Sequence, residues 1–230
     1  MKTIGMIGGM GWESSALYYA AINRGVRDAL GGNHSAQIVL DSCNFAVVEQ
    51  LQHDGKWEQL GQMLAASARR LEAAGADFLL LCTNTMHKVA PAIEAATTIP
   101  LLHIADPLGT AIHAAGLTQV GLLGTAFTME QDFLKDRLAH DHGIACLVPD
   151  AEDRATVHRV IYEELLRGDV FEDSRDAYLA VVRRLGDAGA QGIILGCTEI
   201  GMLLQQEDSP LPLFDTTAVH AAAAVDAALA

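Results

Sequence analysis

The sequence lacks the features that mark membrane, secreted and nucleic-acid-binding proteins. Its apolar runs, such as residues 78–82 and 193–195, are strand-sized and far shorter than the ~20 residues of a membrane helix. The first residues enter a strand pattern directly, without the apolar stretch and cleavage site of a secretory signal. Basic residues are few, 15 Lys and Arg against 29 Asp and Glu, and the net charge of −14 opposes binding to phosphate backbones. We therefore expect neither a membrane nor a nucleic acid as partner.

Cysteine and aromatic residues are also scarce. Four cysteines without a secretory signal are expected to be free thiols in a reducing cytoplasm. Aromatic residues make up 5% of the chain and hydrophobic residues 50%, which is typical of a globular protein rich in helices. A chain of 230 residues is long enough for one large α/β domain or two smaller ones of about 110 residues each.

An internal repeat favours two halves. The segment 69–76 recurs as 183–190, and both copies read as a helix end with a glycine followed by a buried strand. Their offset of 114 residues is also the offset from Thr83 to Cys197, the residues that follow the two strands. Two further matches occur in the same order: residues 99–102 with 211–214, and 4–8 with 120–124. The alternative to an internal repeat is a generic series of strand-turn-helix units. Such a series does not require that both copies share the Arg-Arg-Leu and Ala-Gly-Ala sequences.

The repeat predicts an α/β fold of two pseudo-symmetric lobes, each a mostly parallel sheet flanked by helices. We expect the first lobe at 1–115 and the second at 116–230, with a helix from Ala218 free to pack on either lobe. Ligands of open parallel sheets bind beyond the carboxyl ends of the strands. The active site is therefore expected at the lobe interface, with Thr83 and Cys197 facing each other there.

Cys197 is the candidate base. It follows the small apolar run 192–196 and opens a polar turn, where backbone N–H groups are expected to lower the thiol pKa toward neutrality. Cys43, Cys82 and Cys146 are interpreted as inert core residues. A base on one face of a carbon and an acid on the other is the arrangement that racemisation requires, and two equivalent positions supply it.

No cofactor or metal is expected. A pyridoxal phosphate enzyme needs a Schiff-base lysine, and none of the four lysines lies near a phosphate cradle, not even Lys88. The glycine-rich turn 8–11 lacks the GxGxxG spacing of a dinucleotide site. The histidines are scattered along the sequence without metal-site spacing and are interpreted as structural.

Three segments resemble the signatures of the aspartate/glutamate racemase superfamily: residues 4–11, 82–87 and 196–199. The resemblance extends over essentially the whole chain and is greatest to the bacterial branch with threonine in place of the first cysteine. It implies two lobes, no cofactor, a homodimer, and one acid/base residue per lobe. Cys197 would then act on the L-enantiomer and Thr83 on the D-enantiomer of an amino acid with an acidic side chain.

The candidate substrate-binding positions are Met10, Gln52, Asn84, Thr85, Arg167, Thr198 and Glu199. Most of them lie in the strand-end loops, whose backbone N–H groups and Asn and Thr donors would hold the substrate carboxylate. The resemblance adds Gln52 and Arg167. Arg167 replaces the lysine of a family segment, Tyr-Glu-x-x-x-Lys-Gly, at 162–168, and could pair with a side-chain carboxylate. The arginine that aspartate racemases carry at 44–53 is missing, and Gln52 is the polar substitute there. Glutamate therefore stays open as a substrate beside aspartate.

Two other functions remain open. One is a different reaction of the same superfamily, decarboxylation of a disubstituted malonate or a cis–trans isomerisation, because members with only the second cysteine decarboxylate. The other is a non-catalytic regulator that binds a small anion, for which Cys197 would be unnecessary. The hydroxyl of Thr83 and the polar Asn84 and Thr85 favour the racemase.

Overall fold

The computed structural model describes residues 1–230, which form two compact units. Unit 1 consists of residues 1–104 and 220–230, and unit 2 of residues 105–219. The chain therefore crosses from one unit to the other twice. None of its helices combines the length and the apolar content needed to cross a membrane.

Unit 1 contains a four-stranded parallel sheet in the order β2-β1-β3-β4. The strands are β1 (Ile4–Gly8), β2 (Ile38–Ser42), β3 (Phe78–Leu81) and β4 (Leu101–Leu102). The helices are α1 (Trp12–Leu30), α2 (Phe45–His53), α3 (Trp57–Ala73), a 3₁₀ helix (Thr85–Val89) and α4 (Ala90–Glu94).

Residues that alternate along the buried strands give this sheet two apolar faces. One face packs on α2 and α3, in a cluster that includes Ile7, Leu79, Leu81, Val48, Leu60 and Leu64. The other face packs on α1 and on the last helix of the chain, in a cluster that includes Met6, Leu80, Cys82, Tyr18, Ile22 and Ala224. Cys82 is fully buried in this second cluster, which confirms its assignment to the core.

Unit 2 contains a second four-stranded parallel sheet, in the order β6-β5-β7-β8. The strands are β5 (Gln119–Leu123), β6 (Ala145–Leu147), β7 (Ile193–Leu195) and β8 (Leu213–Asp215). The helices are α5 (Ala105–Ala114), α6 (Ala126–Glu130), α7 (Phe133–His142), α8 (Ala151–Glu163), a 3₁₀ helix (Leu165–Arg167), α9 (Glu172–Asp187) and α10 (Ile200–Leu203). The last helix, α11 (Thr216–Leu229), begins in unit 2 and ends in unit 1.

The two sheets share one topology, with the first strand of each between the second and the third. This confirms the α/β fold of two lobes with parallel sheets. The boundary differs from the expected 115/116, because α5 packs on α7 and β8, which follow it in the chain, and so belongs to unit 2. The end of α11 joins unit 1 because its alanines and Val225 complete the second apolar cluster.

Strand register places the candidate residues at equivalent strand ends. Ile7 pairs with Leu81 at the carboxyl ends of β1 and β3, and Leu123 pairs with Leu195 at those of β5 and β7. The loops that follow each pair of strands therefore start side by side within their own unit. Thr83 lies two residues beyond β3, and Cys197 lies two residues beyond β7.

Candidate active site

Cys197 lies in a tight turn between β7 and α10. The turn passes close to the neighbouring strand: the Gly196 N–H donates to the Leu123 carbonyl at 2.7 Å. A Cβ atom at Gly196 would lie 2.9 Å from that same carbonyl oxygen, so a side chain there would displace the backbone. Glycine before Cys197 is thus required by packing and holds the thiol at the end of the sheet.

The thiol of Cys197 is hydrogen-bonded to a carboxylate. Its Sγ donates to Oε2 of Glu199 at 2.9 Å, and the hydroxyl of Thr198 donates to the same oxygen at 2.7 Å. Cys197 and Thr198 are partly exposed, whereas Glu199 is only 6% exposed. Three of the sequence-predicted site residues therefore form one hydrogen-bonded group in unit 2.

The pKa of the Cys197 thiol is raised, whereas the sequence predicts that it is lowered. Burial raises it well above its ordinary value, and the charge and hydrogen bond of Glu199 raise it further. The backbone N–H groups of Thr198 and Glu199 lower it, as expected, but they do not outweigh burial and the carboxylate. The prediction of a thiolate near neutrality was wrong, because burial of the thiol and the carboxylate beside the sulfur both raise its pKa.

Tyr178 on α9 is a neighbour of this thiol that the sequence did not reveal. Its ring is fully buried and its hydroxyl donates to the Val157 carbonyl at 2.8 Å. Burial raises its pKa first, and the nearby Cys197 and Glu164 add to the effect. Its hydroxyl is thus neutral and is held in place by a backbone carbonyl. In sequence Tyr178 reads only as one of the apolar positions of an amphipathic helix.

Thr83 lies in the corresponding loop of unit 1. Its N–H donates to the Leu81 carbonyl at 2.9 Å, and its own carbonyl accepts a hydrogen bond from Nδ1 of His87 at 2.8 Å. The side chain of Thr83 is partly exposed, whereas Asn84 and Thr85 are buried. Thr83 and the two predicted substrate-binding residues after it thus share one loop that begins the 3₁₀ helix.

Three of the histidines that look scattered in the sequence are brought together in unit 1. The ring centres of His87 and His103 are 4.5 Å apart, and those of His87 and His220 are 5.9 Å apart. All three are at most 3% exposed. No group of three or more His, Cys, Asp or Glu side chains in the chain is placed to hold a metal ion. We refer to His87, His103 and His220 as the histidine cluster.

In the glycine turn after β1, the N–H of Gly9 is used by an internal contact. Gly9 has a φ of 83° and its missing Cβ would meet the Cys43 carbonyl at 2.3 Å, so only glycine fits. Its N–H donates to Ser15 Oγ at 2.8 Å and is therefore not a donor for a substrate carboxylate. Met10 is 5% exposed and packs in the first apolar cluster, so its side chain is a core residue. Gln52 on α2 is also buried.

Arg167 and Lys88 lie outside these two loops. Arg167 is exposed at the end of the second 3₁₀ helix. This 3₁₀ helix packs against α10, the helix that begins directly after Glu199. The Nζ atom of Lys88 lies 3.9 Å from the centre of the Trp57 ring, a cation–π contact on the side of α3. All four cysteines are free thiols.

Known protein families and solved structures that resemble this chain are consistent with its two lobes of the same topology. Residues 7–224 match the model of the Asp/Glu/hydantoin racemase family. A candidate Asp/Glu racemase from Yersinia pestis is 52% identical over the whole of both chains, with a TM-score of 0.95. An aspartate racemase homologue from Pyrococcus horikoshii is 30% identical, again over the whole of both chains, with a TM-score of 0.88.

A curated relative also aligns along the whole chain. The broad specificity amino-acid racemase of Bacillus subtilis is 24% identical over 233 residues, covering 99% of this chain and 98% of the relative. The family match covers both strand-end loops, with Thr83 and Cys197 inside it. The chain is therefore a member of the Asp/Glu/hydantoin racemase family.

Proposed function

We propose that the chain is a cofactor-independent amino-acid racemase that interconverts L- and D-aspartate, L- and D-glutamate, or both. Cys197 and Thr83 are its two acid/base groups. The observation that carries the proposal is the Cys197–Glu199 hydrogen bond at the carboxyl end of β7. A thiol joined to a buried carboxylate has a place for its proton to go, as a base requires.

Racemisation at an α-carbon needs two groups, because the proton leaves one face and another arrives on the opposite face. Thr83 and Cys197 follow equivalent strands of two sheets with the same order. Family membership and the names of the relatives support amino acids as substrates. Aspartate and glutamate are favoured by the family, while the broad specificity of the Bacillus relative widens the range to be assayed.

In the L-to-D direction, Cys197 first gives its proton to Glu199. The resulting thiolate then removes the α-proton of the L-enantiomer and becomes a thiol again. Burial raises the pKa of this thiol, so its thiolate is a stronger base than an exposed one and better suited to a very weakly acidic C–H bond. The single negative charge moves from Glu199 to sulfur and then to the substrate carbanion.

Thr83 supplies the second proton, directly or through a water molecule, and the proton held by Glu199 returns through solvent to restore the hydroxyl. The cycle thus ends with the Cys197 thiol, the Glu199 carboxylate and the Thr83 hydroxyl as they began. Its hydroxyl is neutral and is a donor far more readily than a base, so it suits reprotonation of the carbanion. Donors in the same loops, at Asn84, Thr85 and Thr198, are proposed to hold the substrate carboxylate as charge builds up on it. Proton removal from the D-enantiomer, which needs Thr83 to act as a base, is the slow half-reaction.

A panel of substrates followed by circular dichroism tests the proposal. L-aspartate, D-aspartate, L-glutamate, D-glutamate and L-alanine are incubated separately with the protein. We expect the signal of aspartate, glutamate or both to decay to zero from either enantiomer. Release of CO2 from a disubstituted malonate with no racemisation would instead assign a decarboxylase. Binding of these anions without any turnover would assign a regulator.

Arg167 is proposed to contact the side-chain carboxylate of the substrate. We expect Arg167→Leu to weaken binding of aspartate and glutamate about tenfold, the effect of one charge-assisted hydrogen bond of ~1.5 kcal/mol. Binding of alanine should stay the same. Isothermal titration of each amino acid measures the difference. Arg183→Leu, which removes an exposed arginine of α9, is the matched control. Equal losses for aspartate and alanine would rule out this role for Arg167.

A thiol in place of the Thr83 hydroxyl should give a faster enzyme. We expect Thr83→Cys to raise kcat/KM about tenfold or more, because a thiolate is a far better base toward the D-enantiomer. Since the equilibrium constant between enantiomers is one, kcat/KM must rise by the same factor in both directions. Initial rates with L- and D-aspartate measure it, with Thr83→Ser as the control that keeps the hydroxyl. A folded Thr83→Cys protein with unchanged or lower activity would contradict the role of Thr83.

Two further expectations accompany this proposal. A homodimer is expected, and light scattering of the purified protein measures it. The cytoplasm is the expected compartment, where the four thiols would stay reduced. Both stay predictions.

A further inference from the structure

We propose that His87 is a positioning residue for Thr83, because its neutral ring joins the Thr83 carbonyl to Ile104, where the chain leaves unit 1. The proposal rests on the proposed function, in which Thr83 exchanges a proton with substrate. It adds a residue that does not itself touch the substrate.

The two hydrogen bonds of His87 fix its protonation state. Nε2 of His87 accepts from the Ile104 N–H at 3.2 Å, so this nitrogen carries no proton. Nδ1, 2.8 Å from the Thr83 carbonyl oxygen, must therefore be the donor. Among the amino acids only a neutral histidine offers a donor and an acceptor on opposite sides of one rigid ring. A doubly protonated ring would lose the bond to Ile104.

The surroundings of His87 keep the ring neutral. It is 2% exposed, and burial, His103 and His220 all lower its pKa well below the ordinary histidine value. The groups that face it are His103, which follows β4, and His220 on α11. Tyr18 on α1 is the next group beyond His220.

The histidine cluster also holds the backbone at both points where the chain crosses between units. The chain leaves unit 1 after Ile104 and returns at His220. Nε2 of His220 donates to the Leu102 carbonyl at 2.8 Å, and its Nδ1 accepts from the Tyr18 hydroxyl at 2.9 Å. The loop of Thr83 is therefore tied, within unit 1, to the same backbone that leads into and out of unit 2.

Two substitutions each remove one of the two hydrogen bonds of the His87 ring and keep the other. In His87→Asn the amide nitrogen lies where Nδ1 was, which keeps the donor to Thr83 and loses the acceptor for Ile104. In His87→Gln the amide oxygen lies near the position of Nε2, which keeps the acceptor and loses the donor. Each variant leaves one buried backbone group unpaired, so we expect similar losses of thermal stability.

The readout compares the two half-reactions in deuterated water. With L-aspartate as substrate, deuterium in the remaining L-aspartate reports Cys197, and formation of D-aspartate reports Thr83. We expect His87→Gln to lower the ratio of D-aspartate formed to L-aspartate labelled by roughly tenfold or more, since small misplacements of a reacting group have effects of this size. His87→Asn should keep the ratio near that of the native protein.

Tyr18→Phe is the control, because it removes the hydroxyl bonded to His220 and leaves both bonds of His87. It should lower the melting temperature without changing the ratio. Equal ratios in His87→Asn and His87→Gln would overturn the proposal and leave His87 a purely structural residue. A native protein with neither labelling nor inversion would overturn the proposed function itself, and the role of His87 with it.

A measurement on the native protein covers the case in which a variant does not fold. Nitrogen-15 chemical shifts of labelled histidine report the tautomer of each ring. We expect His87 to carry its proton on Nδ1, with an unprotonated Nε2, from pH 8 to about one unit below the ordinary histidine pKa of ~6.5. A proton on Nε2, or titration near the ordinary pKa, would overturn the proposal.

Discussion

Cys197→Ala is expected to abolish exchange of the α-proton of L-aspartate and L-glutamate while the fold is retained. Loss of a general base lowers rates by about 10²–10⁴-fold, and no other side chain in its turn can replace the thiol. Glu199 is hydrogen-bonded to the thiol, but a carboxylate is a far weaker base than a thiolate. Proton NMR in deuterated water measures the exchange. Cys197→Ser should behave in the same way.

Cys146→Ala provides the control for this experiment. Cys146 lies in the same unit and, like Cys197, is a partly exposed free thiol. Burial raises its pKa to about 12, but no carboxylate is hydrogen-bonded to its sulfur. Its removal should leave exchange unchanged. The expected loss leaves about a hundredth of native exchange or less. A folded Cys197→Ala protein that keeps more than about a tenth of native exchange would therefore exclude Cys197 as the base.

Glu199→Gln is expected to change thiol reactivity and catalysis in opposite directions. Burial is the largest cause of the raised pKa of Cys197, and the carboxylate adds to it. Replacing the carboxylate with a neutral amide should therefore lower that pKa and speed alkylation by iodoacetamide at neutral pH. Racemisation should fall by roughly 10²-fold, because the acceptor of the thiol proton is lost. Alkylation rates across a range of pH and initial racemisation rates give the two results.

Glu199→Asp is the matched control, since it keeps a carboxylate two residues from the thiol. It should retain a raised thiol pKa and part of the activity. Slower alkylation in Glu199→Gln, or racemisation equal to that of the native protein, would show that Glu199 does not take the proton of Cys197. Either result would leave Glu199 as a binding or structural residue.

The repeat in the sequence was sufficient to predict two lobes with parallel sheets, because each copy contains the same helix end, buried strand and polar turn. The equivalence of Thr83 and Cys197 follows from it, and the structure places both two residues beyond matching strands. The hydrophobic alternation that assigned Cys82 to the core is a local property, and it was confirmed. Short-range sequence patterns were therefore reliable for features that depend only on position along a strand, such as which residues end it and which side chains face the core.

The raised pKa of Cys197 could not be predicted in the same way. It depends on burial of the thiol in the folded chain and on the side-chain conformation that brings the Glu199 carboxylate to the sulfur. The histidine cluster joins residues 87, 103 and 220, which are far apart in the sequence, and the contact of His220 arises only when α11 returns to unit 1. The boundary at residue 104 likewise depends on where α5 packs. These features are set by tertiary packing, which no local pattern encodes.

The origin of the α-proton in the first product tests the central claim most directly. L-aspartate or L-glutamate is incubated with the native protein in deuterated water, and the D-enantiomer formed in the first few per cent of reaction is analysed by mass spectrometry. If Cys197 and Thr83 are separate acid/base groups, nearly every molecule of D-product should carry deuterium at Cα, because its proton comes from the Thr83 side and not from the substrate. A D-product that retains the substrate's own proton would contradict the account, since it would mean that a single group serves both faces.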